Sequence, residues 1–406
     1  MSAPAALAGD VEARHVKAAG SGARGVEAGD IEIVPVRGRA DLERFIRLPE
    51  RLYRGDPYYV TPLRSERRDA LTPGRNPFFE HAEAAFWIAR RGQEEVGRIS
   101  AQHDRLARPG RDGPVGHFGM LAAVDDAAVF AALLGTAEGW LAARGLSCVQ
   151  GPFSLSINEE SGLLVEGFDT PPMLMMPHDP PYADARLRAL GYAKVRDLYA
   201  YLCDTTAALP PAAAAMVARG LPSNVTLRPM RRADIKGDVA AIVAIFNDGW
   251  DGHWGFVPLT PAEVDHMATA MKPLLNERLV WFAEVDGEPA AFGLCLPNLN
   301  AAIADLGGRL APFGWAKLLW RLKVAGIATA RVPLMGVRRR FEGSLLGGLL
   351  PLHVVEALRR EALACGIRSV EMSWVLEDNL PMRHLAEAVG GRAYKTYRVY
   401  EKRLAA

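Results

Sequence analysis

The residues best suited to binding an anion lie late in the sequence, between a predicted strand at 330–337 and a long predicted helix at 346–365. Glycines in such a loop let backbone N–H groups face an anion at the positive end of the helix dipole. Guanidinium groups add charge-assisted hydrogen bonds to phosphate oxygens. The pattern predicts a pyrophosphate site, and a solvated basic turn is the alternative interpretation. The predicted contacts come from one loop: Val337, Arg338, Arg339, Arg340, Gly343, Ser344 and Gly347.

Two titratable residues in the same half of the chain are candidates for accepting a proton. His253 lies between Trp250 and Trp254 in a stretch without clear periodicity, and an unperturbed imidazole exchanges protons near neutral pH. Glu371 lies on a predicted strand and alternates with Ser373, so both side chains can face one side of a sheet. A histidine bonded to a backbone carbonyl and a surface glutamate are the alternatives left open.

Other polar residues are candidates for binding a second substrate. Asn298 and Asn300 follow a predicted strand at 290–296, where they can equally be turn residues. In the first half, Asn158, His178 and Tyr182 lie among proline, glycine and methionine residues. The histidines and cysteines lack the spacing of a metal site, so no metal is expected.

The segment 312–324 has the composition of an amphipathic helix. Trp315, Leu318, Leu319 and Leu322 can share one helical face, while basic residues are spread elsewhere. Such a face can rest on a lipid surface or cover an acyl chain. A helix that packs on the core with a solvated basic side is the alternative interpretation.

Composition limits the classes of function. The 406 residues include 48 basic and 47 acidic side chains, so no basic excess points to nucleic acid. The four cysteines are isolated, as in a reducing compartment, and no apolar run is long enough to span a bilayer. Residues 1–30 have the composition of a disordered tail rather than an export signal. We therefore expect a cytoplasmic protein, with peripheral contact to the inner membrane as an additional possibility.

The elements that position these residues occur twice in the same order. Each half has a long predicted helix that ends at a glycine and is followed by a strand. From that glycine to an asparagine the interval is thirteen residues in both halves, Gly145 to Asn158 and Gly366 to Asn379. The pattern predicts a mixed α/β protein with a duplicated domain at 31–204 and 224–406, joined by a helix-containing connector at 205–223. The alternative is that helix–glycine–strand units recur by chance.

The second half resembles the GNAT acyltransferases, because the glycine loop and long helix are followed by a strand at 369–375 and a helix that starts at Asn379. The resemblance implies that the loop holds the CoA pyrophosphate, that two parted strands hold the pantetheine arm, and that Asn379 lies beside the thioester. Leu345 and Ala386 stand where that family has a small residue and a tyrosine acid. The first half is acidic at 121–126, where the loop would be, so we expect it to have lost CoA binding.

Longer stretches resemble a smaller group within that family, the YghO-like proteins that include the bacterial ceramide synthases. The resemblance implies transfer of a fatty acyl group from acyl-CoA, used as a co-substrate without a permanently bound cofactor. The implied acceptor is the amine of a sphingoid base such as sphinganine or 3-ketosphinganine. A short-chain GNAT enzyme and a non-catalytic lipid- or CoA-binding protein are the alternatives. The matching stretches are 152–164, 175–182, 246–258, 296–300, 308–315 and 372–379.

Overall fold

A computed structural model describes residues 30–110 and 113–404 of the chain. Apart from residue 30, the tail predicted at 1–30 lies outside these residues. The first half of the described chain contains β1 (Ile31–Pro35), α1 (Gly38–Leu52), α2 (Arg64–Ala70), α3 (Phe78–His81), β2 (Ala82–Arg91), β3 (Glu94–Asp104), β4 (Val115–Ala123), α4 (Ala127–Ala142), β5 (Cys148–Gly151), β6 (Leu163–Glu166), α5 (Tyr182–Ala189) and β7 (Ala193–Asp204).

The second half repeats much of this order. Its elements are α6 (Pro211–Ala218), β8 (Val225–Pro229), α7 (Ile235–Trp250), α8 (Pro261–Met271), β9 (Val280–Val285), β10 (Glu288–Pro297), α9 (Leu299–Ile303), α10 (Gly314–Trp320), β11 (Thr329–Val337), α11 (Leu345–Ala364), β12 (Ser369–Leu376), α12 (Leu380–Ala388) and β13 (Arg392–Arg403). The predicted mixed α/β class is confirmed, since the strands named here form one mixed sheet with helices packed on it.

Buried apolar faces explain why these segments become strands and helices. Residues Ala290–Leu296 of β10 are all buried, because α7 and α11 both contact this strand. A strand covered on both faces needs apolar residues at successive positions rather than alternate ones. At α4, the carboxylate of Asp126 accepts the N–H groups of Ala128 and Val129 at 2.8 and 3.4 Å, which fixes the start of the helix.

The two halves exchange their last strands. The sheet order is β1-β2-β3-β4-β5-β13-β7-β12-β11-β10-β9-β8, with β6 beside β13. Thus β13 lies between β5 and β7, and β7 lies between β13 and β12. Each half is completed by a strand from the other, so the two repeats share one continuous sheet. The boundaries predicted at 204 and 224 remain a prediction about the duplication.

Candidate active site

Two neighbouring parallel strands of the second half separate and open the sheet. β11 and β12 pair from Thr329 with Ser369 to Val332 with Met372, and their pairing then stops. Beyond this point β11 continues along β10, and β12 continues along β7. The facing edges of β11 and β12 therefore have no ladder partner across the gap. We call the resulting cavity of about 1160 Å³ the cleft; its walls include β11, β12, the start of α11 and the start of α12.

The beginning of α11 forms one end of the cleft. Ser344 caps this helix, because its Oγ accepts the N–H of Gly347 at 3.1 Å. Gly343 has a φ of +70°, a left-handed conformation that favours glycine. A Cβ on Gly347 would lie only 2.2 Å from the carbonyl oxygen of Phe341, so the loop can pass this closely only at a glycine. Val337, Gly343, Ser344 and Gly347 all line the cleft, as the sequence analysis expected of an anion-binding loop.

The three arginines of this loop do not line the cleft, contrary to expectation. The Nε of Arg338 donates to the carbonyl of Pro289 at 3.0 Å. Arg339 is ion-paired with Asp251 at 3.3 Å, and Arg340 with Glu288 at 3.1 Å. The charges of Arg339 and Arg340 are thus neutralised outside the cleft by acidic residues that are distant in the sequence.

The opposite end of the cleft is formed by α12. Asn379 caps this helix, since its side-chain oxygen accepts the N–H of Met382 at 3.1 Å. Asn379 lines the cleft, so the structure places it with the glycine loop as predicted from the order of elements. Its amide oxygen is engaged in the cap, which leaves the amide N–H groups available to a ligand.

Aromatic residues and one imidazole form the wall between these two ends. Trp250, His253, Trp254 and Trp374 all line the cleft. The rings of Trp250 and Trp374 meet edge to face with centroids 5.7 Å apart, and the His253 ring lies 5.9 Å from that of Trp250. The buried Nδ1 of His253 has no hydrogen-bond partner among the described residues. This imidazole therefore lines the cleft with an unpartnered ring nitrogen, and His384 of α12 lines the cleft as well.

Behind the aromatic wall the cleft adjoins two further cavities. We call the first, of about 60 Å³, the neck; it shares Trp250, Trp254, Pro333 and Trp374 with the cleft. We call the second, of about 340 Å³, the inner cavity; it lies between α1 and α2 of the first half and α8 and α9 of the second. The neck and the inner cavity have a common lining of Asn158, Glu159, Met175, Leu259, Met267 and Met271. A path thus leads from the separated strands into the space between the two halves.

The inner cavity has an apolar side and a charged side. Met267 and Met271 of α8, with Leu259 and Leu274 on either side of that helix in the chain, line it from the second half. Arg67 of α2 forms an ion pair with Glu160 on the other side. Burial raises the pKa of Glu159 to about 8, and the nearby Glu66 and Glu160 add to this rise. Burial likewise raises the pKa of Asp179 to about 7. The cavity can therefore hold a ligand with a long apolar part and a polar head.

Glu371 is not positioned as the proton acceptor that its strand alternation suggested. It is fully buried and lines none of the three cavities, because its two carboxylate oxygens accept hydrogen bonds from Ser373 and Tyr394. Ser373 lines the cleft, but its Oγ also accepts from the Nε of Arg331 at 2.8 Å. Arg331 in turn donates to the carbonyl of Leu174 at 2.9 Å, so this network holds β11, β12 and the first half together.

The residues proposed for a second substrate divide between the inner cavity and the framework. Asn158 and His178 line the inner cavity, as does Asn300, whose amide also donates to the carbonyl of Met173 at 2.9 Å. Asn298 is buried and caps α9, and Tyr182 donates to the carbonyl of Ala123 at 2.6 Å. These last two do not line the cavities, since folding has already satisfied their polar atoms.

The segment predicted as an amphipathic helix forms α10 and a following π-helical turn, Arg321–Ala325. Trp315 is 58 % exposed and lies on the outer surface rather than in the cleft. Leu322 packs on the core, so the exposed face differs from the predicted one. We call the exposed residues the apolar patch: Phe313, Trp315, Leu319, Trp320 and Val324. None of the helices among residues 30–110 and 113–404 is both long and apolar enough to cross a bilayer.

The first half has no counterpart to the glycine loop. Where α11 begins with exposed N–H groups, α4 begins with Asp126, which binds its own helix N-terminus and is ion-paired with Arg91 at 2.5 Å. An anion at this position would meet a carboxylate instead of free N–H groups. That the first half has lost CoA binding stays a prediction.

Sequence reasoning placed Glu159 in a polar set of the first half without giving it a role, and it did not select the α8 methionines Met267 and Met271. Glu159 was visible as part of a polar stretch, but only the packing of both halves shows that it lines the neck. A sequence signal for the start of α8 was nevertheless present. Thr260 and Glu263 form a capping box, and Pro261 lies in the first turn of the helix.

Comparisons with known proteins agree with this architecture. The chain is 54 % identical over 376 residues to the bacterial ceramide synthase of Caulobacter vibrioides, covering 92 % of this chain and 98 % of that protein. It is 46 % identical over 364 residues to protein YghO of Escherichia coli, covering 90 % and 93 %. No family model matches the chain.

Among solved structures, the fold is similar to a tandem GNAT protein from the clavulanic acid biosynthesis pathway. The TM-score is 0.53 at 16 % identity, over 93 % of this chain and 99 % of that one. The tandem GNAT fold expected from the sequence is therefore confirmed. The chain belongs to the family of tandem GNAT-fold proteins that contains the bacterial ceramide synthase of Caulobacter vibrioides and YghO of Escherichia coli.

Proposed function

We propose that this chain is an acyl-CoA-dependent N-acyltransferase and that acyl-CoA binds in the cleft. The observation that carries this proposal is the separation of β11 and β12 directly beside the N-terminus of α11. The N–H groups of this loop that are not already bonded to the Phe341 carbonyl or to the Ser344 cap suit the pyrophosphate. The unpaired strand edges suit the amides of a pantetheine arm, since buried amides need hydrogen-bond partners. The thioester then lies near Trp374 and His253, with Asn379 at its side.

In the proposed reaction, a neutral amine attacks the thioester carbonyl directly. Holding both reactants in one site replaces an encounter in solution with an oriented contact. As the C–N bond forms and the C–S bond breaks, the nitrogen loses one proton and the sulfur gains one. We assign this transfer to His253, because its ring lines the cleft and its Nδ1 is without a partner among the described residues. Acyl-CoA is consumed as a co-substrate.

We propose a long-chain amine of the sphingoid-base class, such as sphinganine or 3-ketosphinganine, as the acceptor. The neck and the inner cavity support this choice, because they continue the cleft into an apolar space between α2 and α8. The inner cavity, about 340 Å³, is within the range of small-molecule pockets. The relative of 54 % identity bears the name bacterial ceramide synthase.

We also propose that the protein works on the cytoplasmic face of the inner membrane, with the apolar patch resting on lipid. The segment that contains the patch is held to α9 by Arg321, whose guanidinium donates to the carbonyl of Ala302 at 2.6 Å and pairs with Asp305. Ile303 of α9 lines the inner cavity. A lipid surface at the patch would thus lie next to the space proposed for a lipid substrate.

Turnover with paired substrates tests the proposed function. Purified protein is incubated with palmitoyl-CoA or acetyl-CoA, with and without sphinganine or 3-ketosphinganine, and released CoA and product mass are measured. We expect amide formation only with the long-chain acyl donor and a sphingoid base. We expect His253→Ala to lower kcat by about 100-fold or more, as for loss of a proton-transfer group. A folded protein that releases no CoA with any pair would refute the proposal; release only with acetyl-CoA would refute the substrate class.

A further inference from the structure

Glu159 occupies the junction between the neck and the inner cavity. It lines both spaces, whereas the tryptophans of the aromatic wall line the neck and the cleft. Its backbone N–H donates to the carbonyl of Ser156 at 3.1 Å, which holds the residue in a turn. No hydrogen bond or ion pair holds its carboxylate within residues 30–110 and 113–404. Among the described residues that line the neck, Glu159 carries the one carboxyl group.

The charged neighbours of Glu159 leave it without a cation of its own. Arg67 is bonded to Glu160 and lies 3.3 Å from Glu66, and Arg331 is bonded to Ser373 and the carbonyl of Leu174. The charged or titratable groups lining these spaces come from α2, β3, α8, β11 and the neighbouring loops: Tyr53, Tyr59, Arg64, Glu66, Arg67, Arg98, Glu160, His178, Asp179, Glu263, His266 and Arg331. A cationic head group entering the cavity would be attracted by Glu159 in its ionised form, which is the minor form at pH 7 and the major form above pH 8.

We propose that Glu159 binds the ammonium group of the acceptor and takes its proton, so that a neutral amine reaches the thioester. This assignment rests on the proposed acyltransferase function and adds a residue from the half that lacks the glycine loop. In this step one N–H bond breaks and one O–H bond forms, and the carboxyl later returns the proton to solvent. The second proton, lost from nitrogen during C–N bond formation, passes through His253 to the leaving sulfur on the cleft side.

The pKa values of Glu159 and of the substrate ammonium are close enough for a proton to pass between them. An alkylammonium has a pKa near 10.4, so an ordinary carboxylate near 4.3 takes its proton with an equilibrium constant of about one in a million. Burial raises the pKa of Glu159 to about 8, with Glu66, Glu160 and Glu263 opposing Arg67. The equilibrium constant for the same transfer is then about one in several hundred, which is compatible with rapid turnover.

A second polar atom in the inner cavity also points to a polar ligand. His178 is 8 % exposed and lines this cavity, and its Nδ1 has no hydrogen-bond partner among the described residues. Its Nε2 is 2.8 Å from a carboxylate oxygen of Asp56, which fixes the ring. Buried polar atoms without a partner are rare, and a hydroxyl or keto oxygen on the acceptor would satisfy this one.

The test compares Glu159→Gln with the wild type, using full-length protein, palmitoyl-CoA and sphinganine. Glu94→Gln is the matched control, because Glu94 is exposed at the start of β3 and lines none of the three cavities. We expect Glu159→Gln to lower kcat/KM for the amine at pH 7 by about 100-fold or more, with the affinity for CoA unchanged. The deficit should shrink as the pH approaches the pKa of the amine itself. A long-chain O-alkylhydroxylamine, which is neutral at pH 7, should react equally well with both proteins.

Distinct outcomes separate this assignment from the function on which it rests. If the wild type turns over sphinganine and Glu159→Gln retains its kcat/KM, the role of Glu159 is refuted and the acyltransferase function stands. If the variant is equally impaired with the O-alkylhydroxylamine, Glu159 has a structural role and the assignment is also refuted. If Glu159→Gln does not fold, the same comparison is made with Glu159→Asp. A change in rate that is the same at every pH would then contradict the assignment.

Discussion

Replacing Gly347 by alanine should damage the CoA site while leaving the fold intact. The new Cβ would lie 2.2 Å from the carbonyl oxygen of Phe341 and 3.1 Å from its carbonyl carbon. Since unbonded atoms in contact are about 3.5 Å apart, the 3₁₀ turn Arg339–Phe341 before α11 must move by about 1 Å. Overpacking of this kind costs about 1–3 kcal/mol. The glycine loop would then no longer present its N–H groups in the geometry that an anion needs.

The size of the loss in CoA affinity follows if CoA binding requires the original position of the loop. A cost of about 1–3 kcal/mol then appears as a Kd for CoA that is about 5- to 100-fold higher, because each 1.4 kcal/mol is tenfold. Isothermal titration calorimetry with CoA measures this change directly. The helix preference of alanine over glycine, about 1 kcal/mol, acts on free and bound protein alike and does not alter the Kd.

The matched control is Gly135→Ala in the middle of α4. A Cβ at Gly135 would meet no atom within 4 Å, and the residue lies in the half without a glycine loop. This variant should bind CoA as the wild type does. Both variants should unfold cooperatively in a thermal scan. If Gly347→Ala binds CoA within twofold of the wild type, the α11 loop is not the pyrophosphate site and the reasoning fails.

Three further predictions concern stability and surface contact. Because burial raises the pKa of Glu159 to about 8, its folded form binds more protons than its unfolded form from about pH 4.5 upward, so stability falls as pH rises to 8. Glu159→Gln should remove this part of the decline, and equal wild-type and variant slopes of Tm against pH between 5 and 9 would contradict it. Asp238 is fully buried and bonded to Arg228 and Arg231, so Asp238→Asn should cost about 3 kcal/mol in denaturant unfolding; a loss under 1 kcal/mol would show that the pairs are unimportant. Replacing Phe313 and Trp320 by serine should reduce co-sedimentation with vesicles containing anionic phospholipid by at least tenfold, since each exposed ring offers about 2 kcal/mol of burial. Unchanged sedimentation would mean that the apolar patch does not contact lipid.

The strands and long helices were well predicted from the sequence. The strand expected at 330–337 is Thr329–Val337, and the helix expected at 346–365 is Leu345–Ala364. These segments carry a strong local signal, because a long apolar pattern ends at clear breakers such as Gly366. The short helix α2 and the strand β6 were missed. The first is strongly charged, and the second is a four-residue segment stabilised by pairing with the distant β13.

The loop before α11 illustrates where local reasoning about a site succeeds and where it fails. Backbone positions such as Gly343 and Gly347 could be predicted, because a glycine before a helix has a restricted set of uses. The side chains of Arg339 and Arg340 could not, because their partners Asp251 and Glu288 are 50 or more residues away in the sequence. Charge alone does not indicate which of several possible partners a flexible side chain will meet.

The sequence by itself determined the repeated order of elements, the glycine loop of the second half and the membership in a tandem GNAT-fold family. Local periodicity, helix caps and long matching segments indicate these properties. Only the tertiary structure decided how the two halves join in one sheet and which side chains come into contact. The exchange of β7 and β13 completes each half with a strand from the other, and the packing of α2 against α8 encloses the inner cavity. The position of Glu159 beside the neck depends on both, because burial and electrostatic environment arise from residues far apart in the chain.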